Sequence, residues 1–383
     1  MNTLRFITAG NVDDGKSTLI GRLLYDSDSI HTDQLGVLQK QTKQEGVDID
    51  LSLITDGLRA EREQGITIDV AYKYFSTSKR KFIIADAPGH EQYTRNMITG
   101  ASNSDLIIVL VDARNGITDQ TKRHASVGSL MGIKKAIIAI NKIDLLNYSE
   151  EVFNQIKNDF EAIKSELNYN EIIYIPVSAL VGDNVVTTSE NTPWYNGKSI
   201  LQTLESVELD GTEDLEARFQ VQWVIRPKDE DNHDYRGYAG QILSGSYKVG
   251  DKVTILPAKI ETTLVKIEKD LKEVSEVVAG DNVVLHFEND IDISRGDTVV
   301  LSHQLPKEDN QINTWISWLD NNSLQVGKTY LLQHRFKNVR VKVQQINRKW
   351  DVNQWQFTDG DAVQLNDIAQ VTLKTSQPLY YDT

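Results

Sequence analysis

The sequence predicts an α/β domain with a mostly parallel sheet, followed by two antiparallel β-barrel domains. Up to about residue 209, short apolar runs alternate with segments of helical periodicity, which is typical of βαβ units. From Arg218 the helical periodicity fades, and short β-rich runs recur between Gly-Asp turns, which indicates small barrels. We therefore place the domains at residues 1–209, 215–306 and 312–383.

The first domain has five predicted strands and two clear helical patterns. Leucines and isoleucines repeat with helical spacing over residues 19–24, and Glu151 to Leu167 predict a longer amphipathic helix. The polar stretch at residues 182–197 predicts a loop, and the acidic residues 208–214 predict a linker. The predicted strands are Leu4 to Ala9, Phe82 to Ala85, Leu106 to Val111, Ala136 to Ile140 and Ile172 to Val177.

Two groups of β-rich runs follow the linker, and a polar break near Lys307 to Gln311 separates them. The first group consists of Phe219 to Ile225, Gly240 to Leu243, Lys252 to Leu256 and Asn282 to Leu285. The second group consists of Trp315 to Trp318, Tyr330 to His334, Val339 to Val343 and Ile368 to Leu373.

The composition excludes several classes of function. The chain has 41 Lys and Arg against 55 Asp and Glu, so its formal net charge is -14. Such a chain repels nucleic acid and anionic membranes at long range, and we expect neither as a partner. The absence of cysteine excludes disulfides, thiolate catalysis and cysteine-bound metals, and it suits a reducing compartment. No apolar stretch reads as a signal region or membrane helix, so we expect a cytoplasmic protein.

A phosphate-binding loop is predicted directly after the first strand. Residues 10–17 read GNVDDGKS, which fits the P-loop pattern, and they lead into the first helix. Backbone N–H groups of such a loop bind phosphate oxygens; Lys16 can reach the β- and γ-phosphates, and the Ser17 hydroxyl can bind Mg2+. An ordinary glycine-rich turn is the alternative, which the strand-loop-helix context disfavours. The predicted phosphate-binding residues are Gly10, Asn11, Val12, Asp13, Asp14, Gly15, Lys16, Ser17 and Thr18.

A second Gly-Lys-Thr sequence ends the segment Asn322 to Thr329. This segment has Asn322 in place of the first glycine of the pattern, and its surroundings are rich in β signals. We predict a turn there rather than a nucleotide site.

The motif DAPGH at residues 86–90 predicts the magnesium and γ-phosphate side of the site. Asp86 lies at the carboxyl end of a strand, where open α/β sheets bind ligands, and it can hold Mg2+ through water. Gly89 can offer its N–H to the γ-phosphate, His90 can orient the attacking water, and Thr67 is a candidate second hydroxyl ligand of Mg2+. Alone, the motif would read as a Pro-Gly turn. The predicted residues are Asp86, Ala87, Pro88, Gly89 and His90 for the nucleotide, Ser17, Thr67 and Asp86 for the metal, and His90 and Lys16 for catalysis.

The motif NKID at residues 141–144 predicts selection of the guanine base. Asp144 can accept from the N1–H and N2–H groups of guanine, and with adenine this carboxylate would be left unpaired, which rejects the wrong base by roughly 10^4-fold in favourable cases. Lys142 can stack its stem on the base, and the Ser178-Ala179 segment can offer a backbone N–H to guanine O6. The predicted base-binding residues are Asn141, Lys142, Asp144, Ser178, Ala179 and Leu180.

Together these motifs resemble the translation-factor superfamily of GTPases, of the elongation factor Tu type. Within it, the sequence is most similar to the large GTPase subunit of bacterial sulfate adenylyltransferase. The segments that carry the resemblance are GNVDDGKSTLIGRLL at residues 10–24, DGLRAEREQGITIDVA at 56–71, GHEQYTRNM at 89–97 and RGYAG at 236–240. Elongation factors usually carry His or Ser where Asp14 stands.

The resemblance implies that GTP and Mg2+ bind here, and that GTP hydrolysis drives formation of adenosine 5'-phosphosulfate and pyrophosphate from ATP and sulfate. The adenylyl transfer itself would belong to a partner, the small ATP-sulfurylase subunit, in a heterodimer or a higher assembly. Two features depart from the family pattern. Ala87 stands where the family usually has Thr, which we expect to be harmless. The chain also stops at Thr383, so we expect the last barrel to be open, reclosed differently or truncated, with an unpaired edge.

Two alternatives stay open at this stage. The first is a translation factor that delivers aminoacyl-tRNA, because an acidic protein can still bind tRNA through a local basic patch. The second is a regulatory GTPase whose only output is a protein contact. What co-purifies with the protein, a nucleotidyltransferase-like subunit or tRNA, would separate the first from the sulfate hypothesis.

We expect His90→Ala to slow GTP hydrolysis about 100-fold, because positioned acid-base groups contribute effects of this order. The affinity for GTP should stay within about twofold, since this histidine is assigned to the attacking water. Single-turnover hydrolysis and calorimetric titration with GTP measure the two quantities. A loss of affinity as large as the loss of rate would contradict the assignment.

Overall fold

A computed structural model describes residues 3–27, 29–30, 51, 70–89, 94–208, 215–227, 235–334, 337–351 and 356–382. Thr67 and His90, two of the predicted site residues, lie outside these ranges. The acidic linker from residue 209 to residue 214 lies outside them as well.

The first sheet has six strands in the order β2-β3-β1-β4-β5-β6. All neighbours are parallel except β2 and β3, which are antiparallel. The five apolar runs predicted from the sequence are five of these strands, which confirms the mostly parallel sheet. The strands are β1 (Thr3–Ala9), β2 (Ala71–Ser76), β3 (Lys81–Asp86), β4 (Leu106–Asp112), β5 (Lys135–Asn141) and β6 (Glu171–Pro176).

Five described α-helices belong to the same part of the chain. The predicted amphipathic helix begins at Glu150, where the Ser149 hydroxyl accepts a hydrogen bond from the N–H of Val152. It ends at Ile163, and a 3-10 turn, Lys164–Glu166, follows. None of the helices in the described ranges is long and apolar enough to cross a membrane. The helices are α1 (Lys16–Asp26), α2 (Thr94–Ala101), α3 (Asp119–Leu130), α4 (Glu150–Ile163) and α5 (Ile200–Ser206).

The central strand β4 is buried along its whole length. Alternate side chains point to opposite faces of a strand, so Ile107, Val109 and Val111 join one hydrophobic cluster, while Ile108 and Leu110 join the other. Burial on both faces is what the continuous apolar runs of a parallel sheet require.

The order of the strands places a ligand crevice beside β1. After β1 the chain forms β2 and β3, which lie on one side of β1 in the sheet. It then crosses to the other side of β1 to form β4, so the direction of the connections reverses between β1 and β4. Open α/β sheets bind ligands outside the carboxyl ends of strands at such a point. Residues 10, 86 and 141 lie at these ends.

The second sheet closes into a barrel of six antiparallel strands. Its pairing order is β10-β15-β7-β8-β14-β11, and the additional pairing of β10 with β11 completes the ring; a short strand, β12, extends β11. The predicted antiparallel barrel is confirmed. The strands are β7 (Arg218–Ile225), β8 (Gly237–Ser244), β10 (Lys252–Leu256), β11 (Ile260–Lys269), β12 (Lys272–Val274), β14 (Asn282–Phe287) and β15 (Thr298–Leu301), and a separate pair is β9 (Ser246–Lys248) with β13 (Glu276–Val278).

The last sheet is antiparallel, with the order β16-β22-β19-β18, and β20 also pairs with β19. The final strand, β22, is therefore an inner strand, paired with β16 on one side and β19 on the other, and whether the last barrel is incomplete stays a prediction. Among the described strands, β16 and β18 end the path. The strands are β16 (Lys307–Ser317), β18 (Thr329–His334), β19 (Lys337–Asp351), β20 (Gln356–Thr358) and β22 (Ile368–Tyr381), with the pair β17 (Leu324–Gln325) and β21 (Ala362–Val363) beside them.

Two predictions for this region have different outcomes. The prediction of a polar break between strands at Lys307 to Gln311 is wrong, because these residues begin β16. They are exposed at the end of the pairing path, where a strand has a neighbour on one side only, so their polarity does not oppose strand formation. The predicted turn near the second Gly-Lys-Thr is confirmed: Gly327, with φ +85°, lies between β17 and β18. The exact domain boundaries stay a prediction.

The last sheet contacts both preceding parts of the chain. Trp350 in β19 is buried in a hydrophobic cluster of the first sheet, and its Nε1 donates to Ser126 Oγ in α3 at 3.2 Å. At the other end, Asp382 accepts two hydrogen bonds from Arg218 at the start of β7, at 2.6 and 3.1 Å. A bidentate pair of this kind fixes orientation as well as distance.

We expect Trp350→Phe to lower the free energy of unfolding by about 1 kcal/mol, because the variant loses the hydrogen bond to Ser126 while it keeps an aromatic ring. The urea midpoint, followed by circular dichroism, measures this change. Trp223→Phe is the control, since Trp223 is 66% exposed. Equal midpoints for the two variants would show that the contact adds no stability.

Candidate nucleotide site

The predicted P-loop joins β1 to α1 as the sequence analysis proposed. Gly15 precedes the helix with φ +93°, a left-handed conformation that glycine adopts at low cost, and no side chain caps the helix. The first N–H groups of a helix have no intrahelical partner. Together with the helix dipole, they make this end of α1 suited to phosphate oxygens.

Lys16 is held inside the loop. Its Nζ donates to the carbonyl oxygens of Gly10 at 3.0 Å and Asn11 at 3.1 Å. Burial lowers the pKa of Lys16, while the negative charges of Asp86 and Asp14 oppose this shift. The ammonium group therefore lies beside the loop where a phosphate would bind, with the Asp86 carboxylate close enough to interact with it.

Asp14 is almost completely buried. Its Oδ2 accepts a hydrogen bond from the backbone N–H of Asn11 at 2.6 Å. Burial raises the pKa of Asp14, and the hydrogen bond from Asn11 opposes this rise. The side chain thus braces the loop from within.

The residues of the DAPGH motif that the structure describes lie against the P-loop. Asp86 is 1% exposed, and its Oδ1 accepts a long hydrogen bond of 3.4 Å from Thr8. A Cβ atom added to Gly89 would lie 2.5 Å from both the Gly10 oxygen and Lys16 Nζ, so only glycine fits this approach. Ala87 is fully buried.

The amide of Asn141 joins two parts of the predicted site. Its Nδ2 donates to the backbone oxygen of Asp14 at 2.7 Å, and its Oδ1 accepts from the N–H of Ala179 at 2.9 Å. Both ends of one buried side chain are therefore satisfied by backbone groups from the P-loop and from the loop after β6. A Cβ atom at Gly15 would lie 2.5 Å from Nδ2, so this glycine is also required for the contact.

Lys142 makes a second link to the P-loop. Its Nζ donates to the backbone oxygen of Asp13 and lies 3.0 Å from Asp112 Oδ2 at the end of β4. Arg114 also donates to Asp112. Although burial alone would raise it, the hydrogen bonds from Arg114 and Lys142 hold the pKa of Asp112 at about 2. Asp112 therefore stays ionised and anchors Lys142 beside the P-loop.

The loop after β6 is held by α1 as well as by Asn141. Arg22 donates to the backbone oxygen of Ala179 at 3.3 Å and to that of Leu180. The buried Ser178 hydroxyl accepts from the N–H of Val181 at 3.3 Å. The N–H of Ala179 is bonded to Asn141, so a bond from this loop to guanine O6 stays a prediction.

Asp144 lies in a 3-10 turn, Ile143–Leu146, that follows β5 directly. It is partly exposed, whereas Asn141 and Ile143 on either side of Lys142 are buried. A partly exposed carboxylate beside a braced loop is available to a ligand. The predicted residues that the structure describes thus meet at one edge of the sheet.

Sequence reasoning missed four residues that support this edge: Asp112, Arg114, Arg22 and Gln120. Gln120 in α3 donates to the backbone oxygen of Gly89 at 3.0 Å. Asp112 could have been predicted from the sequence as a site residue, because it ends an apolar strand as Asp86 does. The other three have no motif, and only the folded chain brings them to the site.

Comparison with known proteins shows which family this arrangement belongs to. Residues 1–217 match the elongation factor Tu GTP binding domain, and residues 311–383 match the GTP-eEF1A C-terminal domain-like family. Sulfate adenylyltransferase subunit 1 of Teredinibacter turnerae is 49% identical over 99% of this chain, which covers 81% of that protein. The chain belongs to the sulfate adenylyltransferase subunit 1 family.

Other relatives agree with this family and with the fold. The bifunctional enzyme CysN/CysC of Mycobacterium tuberculosis is 47% identical over 99% of this chain, which spans only 62% of that enzyme. The GTPase-like domain of Ski7 from S. cerevisiae, solved with GTP bound, is 18% identical, with a TM-score of 0.54 over 100% of this chain and 92% of that one. At that identity the likeness concerns the fold alone.

We expect Asn141→Asp to raise the dissociation constant of GDP at least about tenfold, because a carboxylate cannot donate to the Asp14 oxygen and leaves it unpaired. Fluorescence titration with a labelled GDP measures the change. Asn115→Asp adds the same charge at an exposed position after β4 and should have little effect. If both variants weaken binding equally, the added charge rather than the lost bond is responsible.

Proposed function

We propose that this protein binds GTP with Mg2+ and hydrolyses the GTP as the large subunit of a sulfate adenylyltransferase. The observation that best supports GTP binding is the pair of hydrogen bonds made by the Asn141 side chain. This side chain ties the P-loop to the loop after β6, which supports one site formed by the segments that we assign to phosphate and to base.

The described residues suit GTP in three respects. The uncapped start of α1 and the buried Lys16 offer N–H groups and a positive charge to the phosphates. Gly89 approaches the loop closely enough for its backbone to reach a terminal phosphate. Asp144 is left available to the guanine base. Mg2+ would be held by Ser17, Thr67 and Asp86, and when bound it neutralises charge on the β- and γ-phosphate oxygens.

The chain's own residues then have distinct tasks. Lys16 stabilises the negative charge that develops as the γ-phosphate leaves, because it is fixed in a buried place where such an interaction is strong. Gly89 orients the terminal phosphate, and His90 orients the attacking water. Loss of the γ-phosphate releases the loop around Thr67 and the segment after His90, so hydrolysis acts as a conformational switch.

The second part of the proposal concerns sulfate. Its support is the identity of 46% to 49% with proteins named sulfate adenylyltransferase subunit 1, across 99% of this chain. We infer that GTP hydrolysis here drives formation of adenosine 5'-phosphosulfate and pyrophosphate from ATP and sulfate. The name subunit 1 implies a second subunit, which we take to be the small, adenylyl-transferring one, in a heterodimer or a higher assembly in the cytoplasm.

Delivery of aminoacyl-tRNA is less well supported. The net charge of -14 works against an RNA partner, and the relatives that match almost the whole chain have sulfate adenylyltransferase names. The likeness to Ski7 concerns the fold and carries no RNA function.

Reconstitution with the small subunit tests the proposal. Isolated GTPases of this kind hydrolyse GTP at about 10^-4 to 10^-3 per second, so we expect a rise of at least about 100-fold when small subunit, ATP and sulfate are all present. Pyrophosphate release should depend on GTP in the same mixture. Lys16→Ala should abolish this dependence, because the γ-phosphate loses its positive partner.

The outcome of the reconstitution distinguishes the sulfate role from a regulatory GTPase and from delivery of aminoacyl-tRNA. GTP hydrolysis that stays at the basal rate, with no sulfate-dependent pyrophosphate, would refute the sulfate role and leave a regulatory GTPase. Stimulation by aminoacyl-tRNA with ribosomes, and not by sulfate, would favour the delivery role.

A further inference from the structure

A side chain of α3 forms a hydrogen bond with the carbonyl oxygen of Gly89. Gln120 Nε2 donates to this oxygen at 3.0 Å, across 31 residues of sequence. The Cα of Gly89 faces the Gly10 oxygen and Lys16 Nζ, since a Cβ atom would meet both at 2.5 Å. Gly89 is therefore held between the P-loop and one side chain of α3. A glycine left without such contacts could adopt many backbone conformations.

A second side chain of α3 orients Gln120. His124, one helical turn later, places its Nε2 at 2.9 Å from the same amide nitrogen of Gln120. A backbone oxygen only accepts, so the nitrogen end of the amide must face Gly89, and its two hydrogens serve Gly89 and His124. His124 Nε2 must then accept, which places the proton of a neutral imidazole on Nδ1.

The surroundings of His124 agree with this neutral form. The side chain is 2% exposed, and burial together with the positive charges of Lys16 and Arg123 lowers the pKa of His124 to about 3. Its Nδ1 has no hydrogen-bond partner among the described residues. Among the described residues, an apolar side chain at this position would leave no N–H unpaired, so packing alone does not account for a histidine here.

The helix that carries this pair is itself fixed at its start. Thr118 and Thr121 form a capping box at the first turn of α3, where Gln120 lies. Further along, Ser126 accepts the hydrogen bond from Trp350 of the last sheet. The side chain of Gln120 thus extends from a helix that is anchored on both sides of it.

We propose that Gln120, oriented by His124, is a positioning residue that holds Gly89 so that its N–H faces the γ-phosphate, and that this pair sets the preference for GTP over GDP. The inference rests on the proposed binding of GTP. GDP lacks the phosphate that Gly89 would contact, so loss of the Gln120 bond should weaken the binding of GTP and leave that of GDP unchanged. A residue that only stabilised the fold would affect both nucleotides alike.

The test compares the dissociation constants of GDP and of GTPγS, a slowly hydrolysed analogue, by calorimetry on the full chain. Gln120→Met keeps the length of the side chain and removes the donor. We expect the constant for GTPγS to rise about 5- to 10-fold, as for one lost hydrogen bond, and that for GDP to stay within about twofold. Gln155→Met, the same change at an exposed position of α4, is the matched control.

Variants of His124 test the orienting role. His124→Leu removes the acceptor and should reproduce the selective loss of GTPγS affinity, while His124→Gln can restore an acceptor near the place of Nε2 and should recover most of it. Circular dichroism and GDP affinity report whether each variant folds.

Each possible result bears on one hypothesis. Equal losses for GDP and GTPγS in Gln120→Met, or no loss for either, would overturn the positioning role. If the unaltered protein bound neither guanine nucleotide, the proposed function itself would fail. Unchanged GTPγS affinity in His124→Leu would show that the hydrogen bond from Gln120 to His124 does not matter.

Discussion

The side-chain amide of Asn141 is the interaction on which the candidate site depends. It lies at the carboxyl end of β5 and bonds at once to the backbone of Asp14 and to that of Ala179. A side chain with one donor end and one acceptor end can join two loops whose backbones offer the opposite groups. Because it is buried, losing either bond would leave a polar group without water or protein to satisfy it. The two loops are thereby kept at a fixed separation, which a ligand spanning phosphates and base requires.

Charged side chains next to the P-loop reinforce this arrangement. Asp112 receives hydrogen bonds from Arg114 and lies 3.0 Å from Lys142, so its carboxylate stays ionised and holds the Lys142 side chain against the P-loop. On the phosphate side, burial makes the charged form of Lys16 less favourable, and nearby Asp86 and Asp14 offset part of that effect. The two lysines therefore differ in setting: one supports the loop from outside, and the other lies within it.

The helix α3 connects the site to the last sheet. One end of it reaches the Gly89 backbone through Gln120, and its middle receives the Trp350 hydrogen bond through Ser126. The C-terminal strand in turn contacts the start of the barrel, where Asp382 pairs with Arg218. Packed elements of this kind respond together rather than one atom at a time, so a change at Gly89 has a physical route to the barrels.

The sequence by itself determined the class of the fold and the motifs of the site. Periods of apolar residues report which faces are buried, and the P-loop, DAPGH and NKID motifs are contiguous, so local spacing is enough to recognise them. Only the tertiary structure decided that Lys307 to Gln311 form a strand, that β22 is an inner strand, and that Gln120, Arg22 and Arg114 contact residues of the candidate site. Strand pairing and side-chain contacts join residues far apart in the chain, and such partners leave no periodic signal in the sequence.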